Sequence, residues 1–554
     1  MKKILLPVML ACATLVAPAA LTTAQAQTVC PAAPTPVIAV TEITGTVNWT
    51  ANNIYQLNGN VFVRSGAVLN IEPGTIIKGN DPANPTGAKG SLIVQQGGKI
   101  NANGTATKPI VFTSGNAAGQ RRRGDWGGII LLGRAPINNA GGTANVEGIT
   151  QGSGTYGGTD AADNSGVLRY VRIEFPGIDF GNGNEINGLT LAGVGSGTEL
   201  DYIQVSYAND DSYEWFGGTV NAKHLISFRG LDDEFDTDNG YSGKVQYAVS
   251  LRDPNVADIS GSNGFESDND ATGSSNSPQT SAVFSNVSLF LPGPAANLDG
   301  NYRRGMHIRR NSALSVFNTV ITGYPTGILL DGAASEANAT AGSLVLKNNV
   351  FAGMGSNFAS VSGSTFDLAG YFNAAARGNT LSTVADLQLA VDNFSLTKPN
   401  FLPQSTSPLL MGAAYTDAKL ADAFFEKTPT YRGAFGTTDW TAAWANFDPQ
   451  ITCYNRAGLT LATKSASDQL QQLTVTPNPM AGAAQLSFSL KRSGTATVRV
   501  LDLTGRQVAT LLTNDKLTVG SQAVNLPANL KAGVYIATVT TNETSQSVRF
   551  VVAR

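Results

Sequence analysis

Short apolar runs broken by Gly, Asn, Asp and Ser fill most of the chain. Examples are NVFV (60–63), AVLNIEPGTIIKG (67–79), KPIVFTS (108–114) and WGGIILLG (126–133). Runs this short, with turn residues between them, predict β-strands joined by tight turns. No apolar periodicity of helical length interrupts them. In the middle of the chain the pattern repeats: LDYIQVSYANDD (200–211), KHLISFRGLDD (223–233) and KVQYAVSLRD (244–253) recur at about 22 residues. Lines of the same type are LRYVRIEFPG (168–177), VFSNVSLFLPG (283–293), LSVFNTVITG (314–323) and LVLKNNVFAG (344–353). A fixed period of this length predicts a solenoid, and short strands without helices predict a parallel β-helix with one rung per repeat.

Past about residue 465 the pattern changes. LTVTPNPM, AQLSFSLKRSGTATVRVLDLTGRQVATLL, QAVNLPANLKAGVYIATVTT and QSVRFVVAR alternate apolar and polar positions between hairpin-like turns. Such alternation predicts a small antiparallel β-sandwich of Ig-like type. The fold class expected is therefore all-β: a right-handed parallel β-helix followed by a small antiparallel sandwich. The expected divisions are a leader over 1–26, the β-helix with irregular ends over 27–465, and the sandwich over 466–554.

Composition agrees with this outline. The 554 residues include 60 Gly, and only 14% are charged. The net charge of −3 comes without a basic block, so nucleic acid is not an expected partner. The N-terminus has the layout of an export signal: MKK, then ILLPVMLACATLVAPAAL, then Ala24-Gln25-Ala26 as a cleavage site. Cys12 in MLAC offers an alternative, lipidated reading of the leader. No other apolar run is long enough to span a bilayer. Cys30 and Cys453 remain after the leader, and an exported protein permits a disulfide between them.

Two resemblances follow from these residues. The lines LNIEPGTIIKG, GGKINANGT, KPIVFTS and GDWGGIILLG resemble the opening coils of secreted bacterial parallel β-helix proteins of the pectate-lyase-like fold. That fold carries lyases, hydrolases, adhesins and inert stalks, so it implies architecture and not activity. The C-terminal text closely resembles the sorting domain of cargo of the Bacteroidota type IX secretion system. The matching residues are Pro477-Asn478-Pro479, the DLTGR turn from Asp502 to Arg506, Gly533-Val534-Tyr535 and the basic last residue after an apolar strand. The resemblance implies the type IX machinery as a partner and a secreted or outer-membrane-surface location.

Candidate chemistry lies in an acidic ladder. Aligned by strand cores, the rungs read Tyr213-Glu214-Trp215-Phe216, Phe235-Asp236-Thr237-Asp238, Phe265-Glu266-Ser267-Asp268, Met306-His307-Ile308-Arg309 and Ile328-Leu329-Leu330-Asp331. Side chains alternate faces along a strand, which puts two columns outside. One is Glu214, Asp236, Glu266, His307; the other is Phe216, Asp238, Asp268, Arg309, Asp331. Carboxylates about 5 Å apart repel by roughly 3 kcal/mol at an effective dielectric near 20. Water, a cation, an arginine or raised pKa values must offset that.

Three roles stand for the ladder. The acids are solvent-facing and structural; or Asp236, Asp238, Glu266 and Asp268 hold calcium, a cation that takes six to eight oxygens; or Asp238, Asp268, His307 and Arg309 form a catalytic set. The last resembles the clustered acids and basic groups of pectate lyases and polygalacturonases, but G-H-G, R-I-K and the strand D-D pair of those enzymes are missing. The pairs Asp210-Asp211 and Asp232-Asp233 fall in turns after a different strand. Phe216, Arg309 and Arg310 are candidates for ligand binding, with Arg303 and Arg304 nearby to favour uronate or sulfate. Tyr213 and Trp215 are assigned to the core, His224 to a strand end, and the RGD tripeptide at 123–125 to chance. The expected function is an exported, non-catalytic adhesion or carbohydrate-interacting solenoid, stiffened by calcium. The alternative is a polysaccharide lyase or glycoside hydrolase acting on acidic glycans.

Overall fold

A computed structural model of the chain describes residues 30, 35–83, 89–180, 185–293, 297–460, 470–490, 493–502, 506–541 and 545–553. The expected leader, including Cys12 and the cleavage site, lies outside the described residues.

Three parallel faces wind around one apolar interior. The first face stacks Ser91–Val94, Gly128–Leu132, Leu189–Ala192, Tyr213–Phe216, Phe235–Asp238, Phe265–Ser267, Arg304–Arg309 and Thr326–Asp331 in register. Longer strands such as Glu199–Ser206, Asn221–Phe228 and Lys244–Leu251 bend once, so that each supplies the second face with its first half and the third face with its second. The corner is a single residue with positive φ: Tyr170, Tyr202, His224, Tyr247, Asn286, Asn318 and Asn348 on successive rungs. Asn tolerates this region; the aromatic residues do so at some cost, and here they stack. Tyr170–Tyr202, Tyr202–His224 and His224–Tyr247 have ring centroids 4.4, 4.2 and 5.1 Å apart. His224 thus belongs to a corner stack, with Nδ1 2.7 Å from Asp201 Oδ1, and not to a strand end.

The interior follows from alternation. Tyr213, Phe235, Phe265, Met306 and Ile328 form one inward column and are completely buried. Beside them Thr237 and Ser267 share a 2.7 Å hydroxyl contact, which satisfies polar atoms that would be costly to bury alone. The third face is apolar on its outer side as well. Ile226, Phe228, Val249, Leu251 and Phe290 pack outward against Leu387, Phe401, Phe435 and Trp444. The covering residues come from a strap, 383–460, that runs back along the helix mostly in turns. Its far end is tied to the N-terminal coil by the Cys30–Cys453 disulfide, with a Cα separation of 5.5 Å, and by a 2.9 Å hydrogen bond from Thr35 N–H to the Asn455 carbonyl. The only helices among the described residues are short, Ala333–Ala341 and Leu368–Asn373 besides single 3-10 turns.

The C-terminal region is antiparallel. Leu470–Thr476, Gln485–Leu490 and Gly520–Asn525 form one sheet; Gln507–Leu517, Gly494–Asp502, Gly533–Thr541 and Ser545–Val552 form the other. Leu486, Phe488, Val498, Val500, Val539 and Phe550 fill the space between them, as in a small sandwich. The ends of the DLTGR turn are joined by a 2.9 Å bond from Asp502 N–H to the Arg506 carbonyl; residues 503–505 and Arg554 lie outside the described residues.

The disulfide closes a separation of 423 residues and holds the strap end in place. Cys453→Ser is expected to lower stability by about 2–4 kcal/mol. Limited proteolysis should then cut first within 383–460, measured by peptide mapping against the parent chain.

Candidate acidic site

The ladder register predicted from spacing is present. Glu214 pairs with Asp236, Asp236 with Glu266 and Glu266 with His307; Phe216 pairs with Asp238 and Arg309 with Asp331. These side chains leave the interior, but the face is not the open, wet surface that alternation alone suggests. Glu214 is only 7% exposed. The segment that carries Ile137, Val146, Ile149 and Tyr156 packs over this end, together with Ile186, and Phe216 packs under it, 6.2 Å from the Tyr156 ring.

The C-terminal half of the ladder is neutralised from within. Arg309 binds Glu266, and its Nε donates to Asp268 Oδ1 at 2.7 Å. Arg310 Nη1 donates to Asp268 Oδ2 at 2.7 Å. His307 lies between Asp331, 3.0 Å from Nε2, and Glu266, 3.3 Å from Nδ1. Burial opposes ionisation of Glu266, yet the His307 hydrogen bond and the Arg309 charge hold its pKa below the usual range. Asp268 remains raised, because burial outweighs its two arginines.

Among the described residues no cation makes an ion pair with the N-terminal acids, although Arg252 acts at a distance on Asp232 and Arg309 on Asp236. Asp210, Asp211 and Asp232 bring one carboxylate oxygen each within 4.8 Å of one another, and so do Asp211, Glu214 and Asp236. Asp211 is common to both groups. Burial, then the neighbouring carboxylates, push Asp210, Asp211, Glu214 and Asp236 well above their ordinary pKa. Burial raises Asp232 to about 6 and Asp238 to about 7. Glu147, on the covering segment, is likewise raised to about 7 by burial and then by Glu185.

An Asx column edges this pit. Asn187, Asp211, Asp233 and Asn263 each stand two residues before a first-face strand. Asp233 N–H donates to Asp211 Oδ1 at 2.8 Å, and Asn263 N–H donates to Asp233 Oδ1. Asn187 Nδ2 donates to Glu214, and Asn263 Nδ2 donates to Glu266 Oε2 at 3.1 Å. The opposite oxygens, Asn187 Oδ1 and Asn263 Oδ1, are buried without a hydrogen-bond partner, as are Asp232 Oδ1 and Asp236 Oδ1. Buried polar atoms are rarely left so. Every available donor here is oxygen, which suits a hard divalent cation such as calcium and not zinc or copper.

The expected calcium set is divided: Asp236 lies in the pit, Glu266 and Asp268 are held by arginines, and Asp238 is outside both oxygen clusters though its charge acts on Asp236 and Glu214. Asp210-Asp211 and Asp232-Asp233, placed outside the ladder from sequence, pack against it, because the turn that ends one face leads directly into the next first-face strand. The signal was present in DSYE (211–214), DEFD (233–236) and NGFE (263–266), an Asx two residues before each aromatic and an acid after it. Of the catalytic set, Arg309 is bound directly to Asp268, and His307 shares Glu266 with Arg309. Of the ligand set, Phe216 is packed and Arg309 engaged; Arg310 keeps an exposed flank.

Residues 41–386 match the pectate-lyase-like β-helix domain, and residues 474–553 match the secretion system C-terminal sorting domain. The chain belongs to the pectate-lyase-like β-helix family. Its sorting domain directs type IX export to the cell surface or extracellular space, and no described helix is long and apolar enough to cross a membrane. Among curated proteins nothing matches. The solved structures include the Dettilon tailspike protein (gp208), similar at 11% identity over 63% of this chain and 62% of that one, with a TM-score of 0.23. The chain thus spans about three-fifths of that protein's length, and the likeness is too low to bear on function.

An acid whose folded pKa is raised lowers stability progressively from the pH where the unfolded chain ionises, near 4, up to its folded pKa, and the loss is complete above that. In chelator, the melting temperature should therefore fall as pH rises from about 4 through the 6–7 range of Asp232, Asp238 and Glu147. Thermal melts across that range test this; a flat or rising profile would mean the pit carries no net burial penalty.

Proposed function

We propose that this exported β-helix is a non-catalytic, carbohydrate-interacting adhesion module whose N-terminal acidic pit binds calcium. The supporting observation is the combination of clustered carboxylates with no ion-paired cation among the described residues and buried amide and carboxylate oxygens without a donor. Asp210, Asp211, Asp232, Glu214 and Asp236 supply the charge, and Asn187 and Asn263 supply neutral oxygens at the edge. Shared by both groups, Asp211 would join two rungs through the metal. The bound cation offsets the repulsion and stiffens successive turns against each other.

Calcium at 100 times its dissociation constant would add about 2.7 kcal/mol to stability. Addition of millimolar calcium after chelation should raise the melting temperature at pH 8 by several degrees. Asp211→Asn keeps the acceptor for Asp233 N–H but removes the shared charge. This variant is expected to melt higher than the parent in chelator and to lose the calcium response. Equal melting temperatures for the parent with chelator and with calcium would sink the calcium assignment.

A second reading is supported by one specific feature. Asp232 near 6 and Asp238 near 7 lie in the range of a proton donor at neutral pH. The alternative function is thus a polysaccharide lyase or glycoside hydrolase acting on acidic glycans. Against it, His307 and Arg309 are already engaged by carboxylates. Assay on a panel of uronate polysaccharides, with and without calcium, separates the two: the non-catalytic reading expects binding without new reducing or unsaturated ends, and turnover on any substrate would replace it.

A further inference from the structure

A second charged cavity, of opposite sign, lies where the strap meets the loop 114–127. Its volume is about 670 Å³, and Arg121, Arg122, Arg123, Arg229, Asp448 and Gln450 are among its lining residues. Four guanidiniums and the Asp448 carboxylate line it, with Asp253 paired to Arg229 and Asp125 and Glu174 near Arg121 behind the wall. Arg123 and Arg229 both lie over the ring of Tyr207, at 5.2 and 4.9 Å from its centroid. Tyr207 is itself buried against Phe175, so it fixes the guanidiniums rather than offering a face to a ligand.

The hydrogen bonds leave capacity on these arginines. Arg123 Nη2 donates to the Arg229 carbonyl at 2.6 Å, and Arg229 Nη2 is held by Asp253. The Nε atoms of both are buried without an acceptor and closed to the cavity, so the capacity open to a ligand lies on their Nη1 groups. Arg121 is anchored more fully: it donates to the carbonyls of Asn116 and Pro449 and lies 4.8 Å from the Tyr454 ring centroid. Arg122 is exposed at the rim. Burial, and then Arg229, lower the pKa of Arg123 to about 10, a cost that an anion between the two would relieve.

We infer that this cavity is an oxyanion-binding site for the carboxylate or sulfate groups of an acidic oligosaccharide. Planar guanidinium forks match both groups through paired hydrogen bonds. The cavity falls within the size range of sites for small organic ligands, larger than a lone inorganic ion requires. It is built from residues separate from the acidic pit, so it needs neither calcium nor the ladder.

The test is isothermal titration of the full chain, in chelator, with a galacturonate trisaccharide, a sulfated disaccharide, neutral maltotriose and inorganic sulfate. At least one acidic saccharide should bind, at least tenfold tighter than maltotriose or inorganic sulfate, and should weaken as salt is raised. Arg123→Gln should weaken that binding at least tenfold. Arg122→Gln, at an exposed position where folding is not at stake, should weaken it several-fold. Absence of binding by both acidic saccharides overturns the inference. So does equal affinity for maltotriose, equal affinity for inorganic sulfate, or affinity unchanged in Arg122→Gln and in folded Arg123→Gln. Because chelator is present throughout, failure of the calcium site does not alter the result.

Discussion

In-register parallel stacking governs this molecule. Each residue lies about 4.8 Å from its equivalent on the next rung, so whatever a position carries, it meets again. For apolar positions the rule is benign: Tyr213, Phe235 and Phe265 stack into a continuous interior. At the corners it lets strained aromatic residues recover energy from one another, as in the Tyr170–Tyr202–His224–Tyr247 row. For acids it is adverse, since like charge is forced against like charge along a whole column.

The fold answers that repulsion in different ways along its length. Inside, Glu234 is completely buried but meets Arg252, with Tyr324 donating to its other oxygen at 2.8 Å. Toward the C-terminal end, His307, Arg309 and Arg310 interleave with Glu266, Asp268 and Asp331. Between them, Asp210, Asp211, Glu214, Asp232 and Asp236 have neither arrangement. That the same chain supplies arginines a rung or two away makes the omission in the pit informative.

Much of the architecture was legible in the sequence because a solenoid repeats locally. The offset of 22 residues between Tyr213 and Phe235 sets their register, and alternation then assigns Glu214 and Asp236 to one outward column. What spacing does not convey is cover. Glu214 is outward yet buried, because Tyr156 and Ile149 come from a segment with no place in the repeat. The Arg123–Arg229 cavity was illegible for the same reason: its wall includes Asp448 and Gln450, more than two hundred residues further along the chain than Arg229. Within the tripeptide at 123–125, Asp125 accepts from the Arg122 N–H in the local turn, while Arg123 donates to the Arg229 carbonyl. The strap did leave a trace. KVQYAVSL is apolar on both sides of its second half, which a one-sided rung does not need.

The two charged sites arise from one piece of geometry. Tyr207 and Arg229 end the third-face strands, and Asp211 and Asp233 stand four residues later, just before the first-face strands begin. Each rung therefore passes from the basic cavity to the acidic pit within one turn. The interior cannot vary much there without loss of packing, whereas the turn residues are constrained only at their backbone. Binding chemistry accumulates at such positions because stacking multiplies it: one basic or acidic turn residue is a surface charge, and the same residue on successive rungs becomes a site. Extra segments then determine how that site is used. The strap walls the arginines into a cavity, and the segment around Tyr156 lowers water access to the acids, which strengthens their interaction with any cation that enters.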